Sequence, residues 1–185
     1  MCISRIKKNI KNDIFLNFHY YIKSSISILY FILCFLAPCL RAEDPGMESI
    51  GAMNVQLFFA TNEDPAAAGG IAKEVSETEL KNLKGIKGLD FEHYRLMGRD
   101  MPDILKGYEN WATPLLPSKE ILVSFQPIRK SGDRKLQMVL EYWQSKRKVF
   151  SVNPILTKGK TLYLIGPEWR KGRLILAVKI EKLNE

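Results

Sequence analysis

The sequence predicts a mainly β (α+β) protein: an antiparallel β-sandwich or partly open barrel with one short helix, preceded by an N-terminal signal segment. Three observations carry this expectation. The last third of the chain strings together five short runs in which β-branched, aliphatic and aromatic residues alternate with polar ones. A single helix start stands out at Ser76-Glu77-Thr78-Glu79, where the serine and the glutamate three residues on form a capping box. Residues 1–42 differ from the rest in both charge and apolar content. The 185 residues, 46% of them hydrophobic, suffice for one ordinary domain and exclude a disordered chain, a collagen-like repeat and a multi-span membrane protein.

The leader is read first, because the formal net charge of +8 is unevenly placed. Residues 1–42 hold six basic side chains against the single acid Asp13, a net of +5, which leaves +3 for residues 43–185. An eleven-residue apolar run at 26–36 follows the basic stretch, and Pro38 then precedes small residues ending at Ala42. A charged start, an apolar centre and a helix-breaking proline fit a cleaved secretory signal peptide. The run falls short of the ~20 apolar residues that a spanning helix needs. An uncleaved anchor over 14–40 is the second reading, and it would put Lys23 in or near the bilayer at about 2.5–3.5 kcal/mol if central. Lipidation at Cys39 is the third, since Leu36-Ala37-Pro38-Cys39 resembles a bacterial lipobox apart from its proline.

All three cysteines (Cys2, Cys34 and Cys39) fall in this leader, so a chain cleaved after Ala42 has no disulfide, thiolate metal site or cysteine nucleophile. The organisation expected beyond it is a flexible linker over 43–52 and a single β-rich domain over 53–185.

Taken in order, residues 54–61 (NVQLFFAT) read as a first strand, and 62–70 (NEDPAAAGG) as a turn-rich loop. The helix is expected over 77–84, with Leu80 and Leu83 toward the core and Gly85 or Gly88 stopping it. Residues 91–97 (FEHYRLM) form a second strand, with Phe91, His93 and Arg95 on one side. Residues 99–117, with four prolines and glycines, read as irregular.

Five strands are expected at 120–126, 135–143, 148–153, 161–165 and 173–183, joined by short turns into one meander. One face would carry Leu136, Met138, Leu140, Leu174, Leu176, Val178 and Ile180, which demands a second packed layer. The first strand, the helix and residues 91–97 are expected to supply it.

Signals for catalysis are weak. His93, the one histidine beyond the leader, has no nucleophile motif near it and reads as a structural residue. Asn62-Glu63-Asp64 clusters oxygen donors without the spacing of a calcium loop, and Gly69-Gly70 is not a phosphate loop. No cofactor and no metal site is therefore expected.

Charge segregates instead. Residues 43–109 carry −6 and residues 110–185 carry +9. In the basic half, aromatic rings interleave with cations, a pattern suited to an anionic polymer. Alternating hairpin ends would gather Lys146, Arg147 and Lys148 with Trp169, Arg170, Lys171 and Arg173 at one end of the sheet. Trp169 is expected to fold back over that sheet.

These residues are the candidate binding surface of an exported, non-catalytic, envelope-associated interaction or accessory module. The partners expected are an anionic envelope polymer, a membrane surface or a protein, and not nucleic acid, which an exported domain seldom meets. Two competing classes are a secreted hydrolase using carboxylates such as Glu109 or Asp103, and a structural subunit assembling through its β edges.

Overall fold

Thirteen consecutive residues without a charge or a proline, Ser49–Thr61, form the longest strand, β1. A computed structural model describes residues 44–184 of the chain. The leader readings, Cys39 among them, lie outside the described residues. A short 3₁₀ turn at Pro45–Met47, capped by the Asp44 carboxylate on the Gly46 amide, leads into β1. The strand thus starts at Ser49, inside the stretch read as linker, and bulges where Ala52 passes to Met53.

Along β1 the pattern changes from alternation to a continuous apolar run, and its neighbours explain why. Met53, Val55, Leu57 and Phe59 face one way into a large core. Phe58 and Ala60 face the other way into a second, smaller one. A strand buried on both faces has no polar side to alternate with.

Ten further strands complete two antiparallel sheets. They are β2 (Lys73–Glu74), β3 (His93–Asp100), β4 (Asp103–Leu105), β5 (Asn110–Ala112) and β6 (Ile121–Ser131). There follow β7 (Lys135–Gln144), β8 (Arg147–Val152), β9 (Ile155–Thr157), β10 (Thr161–Trp169) and β11 (Gly172–Leu183). The first sheet has the order β10-β11-β1-β3-β2, with β4 also on β1. The second runs β5-β6-β7-β8, with β9 also on β7.

Their inner faces meet in the large core. The first sheet contributes Leu174, Leu176, Val178 and Ile180 beside the β1 residues, and the second contributes Val123, Phe125, Leu136, Met138, Leu140 and Tyr142. The fold is mainly β and sandwich-like, with one short α-helix.

The five-strand meander is corrected. Its first three strands stay together in the second sheet, but β11 crosses over to pair with β1 in the first sheet, carrying β10 with it on its other edge. The reason lies in β11: Leu174, Ile175, Leu176, Ala177 and Val178 are all buried, so this strand needs cover on both faces and neighbours on both edges.

The helix is corrected too. α1 (Glu77–Lys84) is capped by Ser76 as its sequence requires, but it does not help fill the inter-sheet core. Leu83 instead packs with Phe58, Ala60, Tyr94, Ile175 and Ala177 on the outer face of the first sheet. Glu79 fastens it there. Its carboxylate accepts from Ser76 Oγ (2.9 Å), Gln56 Nε2 and Arg99 (3.0 Å), joining α1 to β1 and β3.

Residues 91–97 yield β3 starting two residues later, with Tyr94 and Met97 buried and His93 exposed. A bulge opposite Leu57/Phe58 breaks simple alternation, sending Tyr94 to the outer cluster and Met97 to the inner core. The segment expected to be irregular holds β4 and β5. At the start of β5 the buried Asn110 side-chain amide donates to the Leu105, Tyr108 and Phe125 carbonyls and accepts from the Leu105 amide.

Candidate functional site

The two hairpins that carry the basic residues share an unusual backbone. In β7–β8 the turn is Ser145-Lys146, with φ of 49° and 65°. In β10–β11 it is Arg170-Lys171, with φ of 45° and 63°. Two residues at positive φ define a type I′ turn, which matches the right-handed twist of the strands and normally recruits asparagine and glycine. None of these four is glycine or asparagine, so each carries roughly 1–2 kcal/mol of left-handed strain. The turns are also tighter than expected, because Gly166–Trp169 continues β10 through a bulge.

Glu120 holds the tips side by side. Its carbonyl accepts from the Ser145 amide (2.8 Å), and its carboxylate accepts from the Trp169 indole (3.4 Å). The hairpins belong to different sheets, yet this residue, just before β6, binds both at one end of the sandwich.

Trp169 is folded back and half-buried. Its ring meets Phe59 edge-on with centroids 5.6 Å apart, and the Arg170 guanidinium covers its outer side at 4.2 Å. Gly172 permits this, since a Cβ there would overlap the Phe59 ring and the Ala60 carbonyl. The Thr61 hydroxyl donates to the Lys171 carbonyl at 3.1 Å and fixes the far side of the turn.

An open groove of about 460 Å³ runs along this tip, lined by Phe91, Trp169, Arg170, Lys171, Arg173 and Glu168 among others. The charge pairs around it are loose. Lys171 reaches Glu63 and Arg173 reaches Glu168, both at 3.4 Å and both largely exposed. Pairs of that kind contribute about 0–1 kcal/mol and yield readily to another anion. Arg170 forms no salt bridge among the described residues, and neither do Lys146 and Arg147.

Trp169, Arg170, Lys171 and Arg173 therefore line one groove, with Lys146 and Arg147 on the adjoining tip. Lys148 is elsewhere: its ammonium lies 2.9 Å from Glu141 and 5.7 Å from the Trp143 ring centroid, on the outer face of the second sheet.

No known protein decides what this site does. The chain matches no family model, no curated protein and no solved structure.

The remaining candidates are dispersed. Asp103 sits on β4 of the first sheet, whereas the Glu109 carboxylate accepts from Ser124 Oγ of the second. The oxygens of the 62–64 loop are used locally: Asn62 accepts from the Glu92 amide and Asp64 from the Ala66 amide. No three metal-ligating side chains cluster among the described residues. Glu120, Phe59 and Phe91 escaped sequence reading. A glutamate before a strand and phenylalanines in apolar runs carry no local signal of a shared site.

Proposed function

We propose that this protein is an exported, non-catalytic β-sandwich domain, an envelope-associated interaction or accessory module that binds an anionic polymer through its basic hairpin end. The observation that carries this reading is the Glu120 clasp, which joins two strained, cation-bearing tips from different sheets. Strained backbone concentrates at binding and catalytic sites, because selection retains it only where a particular presentation is needed. Loosely paired cations beside two rings favour a ligand of repeated negative charge and stackable faces.

The test is co-sedimentation with isolated envelope material across a salt series. Charge reversal at Lys146, Arg147, Arg170 and Lys171 is expected to weaken binding at least tenfold and to flatten its salt dependence. Unchanged binding overturns the reading. Export is checked separately by the intact mass of the protein from its host. A mass beginning at Glu43 supports cleavage, a full-length mass supports an anchor, and a lipid adduct on Cys39 supports the lipoprotein.

A further inference from the structure

The edges of the two sheets are unequally protected. β2 closes one edge of the first sheet with only Lys73 and Glu74, both charged and exposed. In the second sheet, β5 has three residues and β8 opens with Arg147 and Lys148. Short strands and charged side chains are the usual means of keeping an edge from pairing with another chain. β10, at the other edge of the first sheet, has neither over Thr161–Ile165. This stretch carries no charge, pairs regularly with β11, and bulges only after Ile165.

The register shows which backbone groups are left over. The Gly159 amide donates to the Ile180 carbonyl at 3.0 Å, so the Ile180 backbone points toward the β10 side of β11. By the two-residue period of a strand, Val178 and Leu176 point the same way, and their partners on β10 are Leu162 and Leu164. The amides and carbonyls of Thr161, Tyr163 and Ile165 therefore point away from the sheet. Among the described residues no second strand pairs with β10, and no turn or loop backbone bonds to these groups. The side chains are half-covered as well. Leu162 and Leu164 turn inward against the large core but are only partly buried, and Ile165 is 43% exposed.

Such an edge specifies an extended backbone as its occupant, since a strand answers a row of outward amides and carbonyls. The pattern of β10 and the charges at its ends select a second copy. About Tyr163 the stretch Thr161–Ile165 reads the same in both directions: β-branched, leucine, tyrosine, leucine, β-branched. Two copies related by a two-fold axis pair antiparallel, with Tyr163 opposite Tyr163, Leu162 opposite Leu164 and Thr161 opposite Ile165. Each outward amide then meets an outward carbonyl, and the leucines of each copy cover those of the other. Lys158 and Lys160 precede the strand, whereas Glu168 lies near its far end. Antiparallel pairing brings those cations toward the acid of the second copy. The two lysines form no salt bridge among the described residues, and Glu168 reaches Arg173 only at 3.4 Å.

We infer that the protein forms a two-fold dimer in which β10 pairs with β10 of a second copy, joining the two first sheets into one. This contact goes beyond the hairpin-end reading and does not depend on it.

The experiment is sedimentation equilibrium of the protein recovered from its host, over a micromolar concentration series. A reversible monomer–dimer equilibrium is expected, with nothing larger, because a two-fold pairing is closed. Thr161→Pro removes an outward amide without breaking a bond to β11, and Ile165→Lys puts a charge on the edge. Each should weaken association by about tenfold or more, with an unchanged far-ultraviolet circular dichroism spectrum. Val149→Lys, which adds a charge at an exposed position of β8, should leave association intact. If Thr161→Pro disturbs the spectrum, Ile165→Lys decides alone. The inference is overturned by a monomer at every concentration, by open-ended association, or by a dimer equally tight in Ile165→Lys. Loss of the dimer in Val149→Lys overturns it as well, because β8 would then be the contact.

Discussion

The indole of Trp169 meets the ring of Phe59 edge to face, with centroids 5.6 Å apart and planes inclined by 78°. A residue at the base of a solvent-exposed basic turn is thereby anchored to the centre of the inter-sheet core. Removing Phe59, which is fully buried, is expected to cost about 3–5 kcal/mol as Phe59→Ala. Trp169→Ala forfeits a ring pair worth about 0.5–1.5 kcal/mol beyond the smaller area it buries, and should cost clearly less. Urea unfolding of both variants checks the ranking. Equal losses would mean that the indole is as much a core residue as the phenylalanine.

The hairpin tips separate binding from folding. Lys146→Gly and Lys171→Gly each relieve a left-handed residue, at φ of 65° and 63°, and are expected to raise stability by up to about 1 kcal/mol. Both remove a cation and should weaken binding to anionic material. Gly159 is the control: it has φ of 79° with open space around it, so Gly159→Ala should cost about 1 kcal/mol through backbone conformation alone. Melting temperatures moving the other way would show that the tips carry no strain.

Acid should loosen the helix first. Burial works to raise the Glu79 carboxyl, but hydrogen bonds from Gln56 and Ser76 and the Arg99 guanidinium outweigh it and hold the group below its ordinary 4.5. A carboxyl depressed in the folded state stabilises above its unfolded value, and that contribution is lost as pH falls through the folded value. The stability gap between the wild type and Glu79→Gln should therefore be widest near neutrality and close as pH drops below about 4.5. Denaturant titrations at several pH values read this directly. A gap independent of pH would mean that the carboxylate is not a working clasp.

Tyr142 presents the opposite case. It is fully buried and stacked on Phe150 at 5.2 Å, and its hydroxyl has no hydrogen-bond partner. Burial first, and the Glu120 charge second, push its phenol well above the usual range. An unsatisfied buried hydroxyl costs about 1–3 kcal/mol, so Tyr142→Phe should match or exceed the wild type in stability. Alkaline difference absorbance should show this tyrosine ionising only as the protein unfolds. A marked loss of stability in Tyr142→Phe would reveal a bond that the fold does not display.

Much of the architecture was legible locally. The capping box at Ser76 predicted α1 to the residue, and apolar alternation at 136–140 and 174–180 located the strands that line the core. The partnering of those strands was not legible. Strands β8 and β10 look alike in isolation, and whether the chain continues one sheet or crosses to another depends on which strand must be buried on both faces. The candidate site divides similarly. Trp169, Arg170, Lys171 and Arg173 stand together because they are neighbours along the chain, whereas Lys148 is drawn away by Glu141 and Trp143 across β7. Glu120, which joins the tips, sits 25 and 49 residues from its partners Ser145 and Trp169, a distance at which no periodicity is visible.

The sequence by itself determined the β-rich class, the one capped helix, the concentration of basic charge after residue 110 and the apolar faces that require two layers. Each of these follows from interactions among residues a few positions apart, where alternation, capping and turn chemistry act. Only the tertiary structure decided that β10 and β11 join the sheet of β1, that α1 covers the first sheet and not the core, and that Glu120 brings the two basic hairpin tips together. Those outcomes follow from burying apolar area between distant segments. That term is non-directional and set by the whole chain, so no short stretch of residues encodes it.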